Sequence, residues 1–189
     1  TAVLRIPLLD AVRDSQSLVD SWWLTVAIVK TDTGITGWGY NSGITPALKA
    51  VKTLIDEVIS PELIGQDAFA VRELWAKAYD RPYFLGDSGI VFQGIAAVEI
   101  ALWDIVAKSL EQPLWKVLGE SGRERIPAYN TDVGWLSLSA NGAAERSRRA
   151  IDAGFCGVKI KVGTTDPKFD VCRVQQVRQC KIVSQPAKM

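Results

Sequence analysis

Residues 154–163 read Gly-Phe-Cys-Gly-Val-Lys-Ile-Lys-Val-Gly, an apolar run between glycines that carries two lysines one residue apart. Strand side chains alternate faces, so Lys159 and Lys161 share one face while Val158, Ile160 and Val162 share the other. Helical patterns flank the run. Upstream, Ser139 to Ala153 is amphipathic and ends at Gly154; downstream, Pro167 to Cys180 offers Phe169, Cys172, Val174 and Val177 as its apolar positions. Ahead of both, Ile126 to Asn130 reads as a short strand. Strand, helix, strand, helix with short joints predicts βα units on a parallel sheet. Both faces of such a sheet are normally buried, so two ammonium groups on one face need a reason. In a βα barrel the inward side chains near the C-terminal strand ends line the active site, and Lys161 lies nearest that end.

Towards the N-terminus the grammar changes. Ala2 to Leu9 is apolar and interrupted by Pro7, which predicts an edge strand. Asp10 to Ser21 is polar without either period and is expected to be a loop. Trp22 to Thr31 is rich in β-branched and aromatic residues, Asp32-Thr33-Gly34 supplies a turn, and Ile35 to Tyr40 returns as a hairpin partner. Thr45 is a candidate N-cap with Pro46 at the first helical position of a helix that Pro61 should end. After the connector Leu63 to Asp67, Asp67 is placed to cap a second helix, Ala68 to Tyr79. A third runs from Ser88 to about Leu110; it is apolar on most sides and carries small residues, as a helix buried in a domain or an interface does. A short turn follows at Pro113 to Gly119. The expected organisation is an α+β domain at residues 1–122, a linker at Gly119 to Gly122, and the start of a βα array at 123–189.

Composition narrows the chemistry. The 189 residues include 22 Lys and Arg against 21 Asp and Glu, a net charge of +1, which leaves no basic footprint for nucleic acid or an anionic membrane. Uninterrupted apolar runs fall short of the ~20 residues of a membrane span. No basic-then-apolar leader opens the chain, and the cytoplasm is the expected compartment. The cysteines, Cys156, Cys172 and Cys180, are too far apart for a CxxC clip and odd in number, so inert thiols are expected. Histidine is absent. That removes every Ser-His and Cys-His pairing and leaves Lys, Asp, Glu, Tyr or a hard metal ion to do any chemistry.

The paired lysines have such a use. A lysine beside a second positive charge is less readily protonated, which suits it to act as a general base towards a weak carbon acid. Its partner, kept protonated, can hold a carboxylate. Solvated lysines on an exposed sheet edge are the plainer alternative.

Several further motifs occur in a fixed order: Gly37-Trp38-Gly39, Pro61-Glu62-Leu63-Ile64-Gly65, Ala97-Val98-Glu99-Ile100-Ala101-Leu102-Trp103-Asp104, Pro113-Leu114-Trp115-Lys116-Val117-Leu118-Gly119 and Ala128-Tyr129-Asn130-Thr131, closing on the 154–163 run. Over nearly its whole length the chain resembles the mandelate racemase and muconate lactonizing enzyme subgroup of the enolase superfamily. The resemblance implies an α+β capping domain followed by the first units of a TIM-like (β/α) barrel that is incomplete in this chain. It implies a lyase or isomerase in which Mg²⁺ stabilises the enediolate formed when a base removes the proton α to a carboxylate. Lys161 is similar to the base of the family's K-x-K motif and Lys159 to its partner near the substrate carboxylate. Thr131, with Asn130 before it, falls where relatives can set a hydroxyl against that carboxylate, though it also reads as a plain turn threonine. Trp22 falls near a substrate-selecting capping loop at about Asp14 to Trp22, with strand packing as the alternative; Asn41 to Thr45 falls at another. Glu99 and Asp104, on the third helix, are carboxylates for structural contacts, and nothing supports a metal triad of these two with Asp132.

The family's metal carboxylates come from the third, fourth and fifth barrel strands, and its opposite base from later ones. Gln185 to Met189 lies about where the third strand should begin, so no metal ligand is expected in this chain, and a fragment of a longer enzyme is favoured over a truncated gene or a split barrel. The text from Tyr129 to Trp135 resembles acid-sugar dehydratases. Expected partners are a small sugar acid or 2-hydroxy acid and further copies in a homo-oligomer. Muconate lactonization or dipeptide epimerization is the alternative within the family, and a non-catalytic interaction module is the alternative outside it. The chain alone is expected to be inactive.

Overall fold

The structure, a computed structural model, describes residues 1–86, 88–119 and 125–180. It divides into two compact units, Thr1–Pro7 with Ser21–Gly122 and Leu8–Asp20 with Arg123–Met189. The tip of the first hairpin thus groups with the second unit. Most of the expected linker at Gly119 to Gly122, and the tail from Lys181, lie outside the described residues.

The first sheet has the order β1-β2-β3, with β1 at Ala2–Arg13, β2 at Leu18–Lys30 and β3 at Thr36–Gly43. β1 is an edge strand, the place in a sheet that tolerates a proline such as Pro7. Strands β2 and β3 are antiparallel in a register that opposes Val26 to Tyr40 and Ile28 to Trp38. Gly34 (φ 88°) takes the left-handed position of the connecting turn. The expected loop at Asp10 to Ser21 is instead the paired ends of β1 and β2. Most of β1 is exposed, and of the residues at Leu8–Asp20 only Val19 is buried, too little for periodicity to detect. Its turn was written in polar residues: the Asp14 carboxylate accepts the amides of Gln16 at 2.8 Å and Ser17 at 2.7 Å.

Helices α1 (Leu48–Leu54), α3 (Val71–Asp80) and α4 (Ile90–Ser109) build the core on this sheet, with Val51, Ile55, Ile59, Leu74, Ile95 and Ala101 among its buried side chains. The buried Thr25 hydroxyl donates to the Leu48 carbonyl at 2.8 Å and ties β2 to α1. Pro61 does not end the first helix. A π-helical segment, Ile55–Ile59, follows α1 and leads into a four-residue turn, α2 (Ser60–Leu63), so the proline falls in a first turn, where its missing N–H is harmless. Asp67 caps a turn rather than α3, accepting from the Phe69 amide at 2.9 Å, and α3 begins only at Val71.

β3 meets α4 through glycine. A Cβ on Gly37 would stand 2.1 Å from the Ala101 carbonyl oxygen, and one on Gly39 would stand 2.0 Å from that of Ala97. Strand backbone therefore lies directly on helix backbone, and the small residues of α4 serve that approach. Asp104 finishes the joint: its carboxylate accepts from the Trp38 amide at 2.8 Å and from Lys108 at 2.6 Å. By length and composition α4, at 20 residues, is apolar enough to cross a membrane, contrary to the reading from uninterrupted runs. Glu99 and Asp104 break those runs without lowering the average enough, and half of the helix's residues are buried. The short helix α5 (Leu114–Leu118) follows.

The second unit is two βα units. Strand β4 (Tyr129–Asn130) pairs in parallel with β5 (Gly157–Val158). Helix α6 (Ala140–Asp152) is capped by Ser139, whose hydroxyl accepts from the Gly142 amide at 3.0 Å. Helix α7 (Pro167–Arg178) is capped by Asp166, with Pro167 in its first turn. Ala143, Ala144, Val177 and Cys180 form the core, and Leu138, Ile151, Val158 and Ile160 pack on it. The three cysteines are free thiols.

Both strands are shorter than expected from Ile126–Asn130 and Gly157–Val162. Backbone pairing nevertheless runs on: the amides of Cys156, Lys159 and Lys161 each donate at 2.8 Å, to Ala128, Asn130 and Gly134. Past Asn130 the partner segment turns into a 3₁₀ turn at Asp132–Gly134, so the ladder continues from one side only. The apolar face of α7 also differs from expectation. Arg173 and Val177 are buried, whereas Phe169 and Cys172 are exposed.

Candidate active site at the lysine pair

Val158 and Ile160 pack on the helical core of the second unit, which turns Lys159 and Lys161 to the opposite side of the extended backbone. Val162 does not join them and is exposed. Lys159 is exposed and Lys161 half-buried. The Lys161 ammonium lies 5.2 Å from the centroid of the Trp135 ring, within the range of a cation–π contact. The crossing beside it is tight: a Cβ on Gly134 would come within 2.3 Å of the Ile160 Cα.

Trp135 is held at two points. Its indole N–H donates to Asp132 at 2.9 Å, and its carbonyl accepts from Arg173 at 2.6 Å. The same guanidinium donates to the Leu138 carbonyl at 2.7 Å. Arg173 is fully buried, and burial pulls its pKa down while the nearby Asp170 carboxylate opposes the shift. Position 173 lies on the buried face of α7 with Val177, and an arginine on a core stripe is the signal that sequence reasoning passed over.

Asp170 ties down the segment after Lys161. Its carboxylate accepts from the amides of Gly163 at 2.9 Å and Thr164 at 3.1 Å. Gly163 has φ 106°, and a Cβ there would lie 3.0 Å from that of Ser15, so the hairpin tip rests on this segment. The Leu136 amide, donating to the Arg13 carbonyl at 2.8 Å, pins the same tip. Asp14, at its apex, is held below the usual carboxylate range by the amides of Gln16 and Ser17, with the Lys161 charge adding to them. The Gly163 amide does the same for Asp170, reinforced by Thr164.

A pH dependence follows with a fixed sign. A carboxyl whose folded pKa is depressed contributes stability above its unfolded value, about 3.9, and loses it as pH falls through the folded pKa. Asp170→Asn is expected to be less stable than the wild type at neutral pH and to converge on it in acid, measured by urea unfolding at stepped pH. A constant gap down to the most acidic point would show that Asp170 is not an anchor.

The other expected site residues divide. Thr131 is exposed at the end of β4, on the backbone segment that pairs with Lys159. Asn130 turns its side-chain oxygen to the Asp132 amide at 2.8 Å, which builds the turn. Trp22 lies in the first unit, half-buried on β2, while its neighbour Trp23 packs on the core beneath Lys49. Among the described residues no group of three His, Cys, Asp or Glu side chains could hold a metal ion.

Residues 12–119 match the family described as mandelate racemase / muconate lactonizing enzyme, N-terminal domain. The chain belongs to this family. Within this enolase-superfamily group it is 34% identical over 182 residues to 3,6-anhydro-alpha-L-galactonate cycloisomerase of Streptomyces coelicolor, covering 95% of this chain and 49% of that protein. It is 32% identical to arabinonate dehydratase of Saccharolobus solfataricus over 153 residues, 80% of this chain and 40% of that one. A crystal structure of a racemase from Streptomyces coelicolor with bound magnesium superposes with a TM-score of 0.87 at 31% identity, over 94% of this chain and 50% of that one. The chain spans about half the length of these family members or less.

Proposed function

We propose that the full-length protein removes the proton α to the carboxylate of a sugar acid or 2-hydroxy acid, in a dehydratase or racemase reaction. Lys161 is the base: its amine takes the α-proton, a C–H bond breaks, and the electron pair stays on the substrate as an enediolate. Lys159, protonated, sits against the substrate carboxylate, with the Thr131 hydroxyl beside it. The observation that carries this reading is the lysine pair itself, on one side of the backbone with Val158 and Ile160 packed on the other.

Magnesium, present in the Streptomyces racemase structure, does not fit the described residues, which offer no carboxylate cluster. Its ligands would come from elsewhere in a longer chain, and the 189 residues alone are expected to be inactive. The cycloisomerase relative supports a second reading in which the same carbanion closes or opens a ring. Screening the full-length protein with acid sugars, mandelate, muconate and dipeptides separates the readings. Turnover of acid sugars is the expected result; turnover of dipeptides alone would overturn it.

A further inference from the structure

The indole beneath Lys161 is fixed more firmly than packing requires. Trp135 is half-buried and, among the described residues, is not part of the hydrophobic core of its unit. Its ring nitrogen is bonded to Asp132 and its backbone to the buried Arg173. The Lys161 amide donates at 2.8 Å to the carbonyl of Gly134, the residue before Trp135, so the backbones that carry lysine and ring are held in one register. Opposite that locked frame stands a side chain with four rotatable carbons whose ammonium lies 5.2 Å from the ring centroid.

We propose that Trp135 is a positioning residue for Lys161, holding its Nζ over the indole face so that the amine meets the α-proton from a single direction. The inference rests on the reading of Lys161 as the base. The physical effect has two parts. The ring confines a flexible stem, and misplacing a reacting group by about 1 Å can cost about a hundredfold in rate. It also attracts positive charge, and this attraction grows as the amine becomes an ammonium during proton abstraction. Asp132 acts through the ring nitrogen and Arg173 through the Trp135 backbone.

The test uses the full-length protein and two readouts. Exchange of the α-proton of arabinonate in D₂O, followed by proton NMR, reports the chemistry. The ε-proton resonances that Lys161→Ala removes report the contact without any substrate. In the wild type these ε-protons should be shifted upfield by the ring current. Trp135→Leu should abolish that shift and slow exchange by about 10- to 100-fold at nearly unchanged KM. Trp135→Phe, which keeps an aromatic face, should recover most of both. Asp132→Ala, at an exposed position, loosens the ring without emptying its place and should lower kcat several-fold; it serves if Trp135→Leu does not fold. Unshifted ε-protons in the wild type, or wild-type exchange in Trp135→Leu or Asp132→Ala, would overturn the inference. Exchange that survives Lys161→Ala would instead overturn the base assignment, and the two failures are distinct.

Discussion

Gly39→Ala is expected to lower the stability of the first unit by about 3 kcal/mol, the upper end of the cost of overpacking a core. The added methyl would stand 2.0 Å from the Ala97 carbonyl oxygen and 2.6 Å from the Ala101 amide nitrogen. Both neighbours are helix backbone, so no side chain can swing aside. Either α4 separates from β3 or the strand buckles, and each route opens the core that Ala97 and Ala101 close. For a unit of this size the melting midpoint should fall by about 10 °C or more. Gly43→Ala is the control, because its methyl would meet Leu48 at an ordinary 3.5 Å. Equal thermal unfolding midpoints for the two variants would mean that strand and helix do not meet as described.

That close approach was not read from the sequence: Gly37-Trp38-Gly39 stood there only as a family-like motif and the small residues of the third helix only as a sign of burial. The helix caps were not legible: Thr45 and Asp67 were the candidates, but Ala47 and Ala70 hold the N-cap positions of α1 and α3 without a side-chain bond, whereas Ser139 and Asp166 cap α6 and α7. The parallel arrangement followed from the order of periods around Lys159 and Lys161. Where reading failed, long-range geometry decided. The strand ends at Leu8–Asp20 bury only Val19, too little to set a period, and Pro61 is tolerated in the first turn of α2, which follows a π-helical segment. Arg173 looks like one more surface charge until its bonds to the carbonyls of Trp135 and Leu138 are known. Trp135 itself was visible only as part of a family-like run, since nothing in the spacing of residues 135 and 161 brings ring and ammonium together. The lysine pair was the legible half of the candidate site; the contacts around it, from Trp135, Asp132 and Arg173, were not.

The second large effect concerns Lys161. General-base catalysis by a positioned side chain contributes about 10²- to 10⁴-fold, so Lys161→Ala in the full-length protein should cost at least that factor in abstraction of the proton facing it. Lys159→Ala should act differently, chiefly by raising KM, because a charge that holds a carboxylate serves ground state and transition state alike. Exchange isolates the first step from whatever elimination or reprotonation comes after it. The decisive measurement is therefore incorporation of deuterium at the α-carbon of an accepted substrate in D₂O, compared between the wild type and Lys161→Ala. Lys161 as the base predicts incorporation in the wild type and its loss in the variant for at least one substrate configuration; undiminished incorporation for both configurations would contradict it.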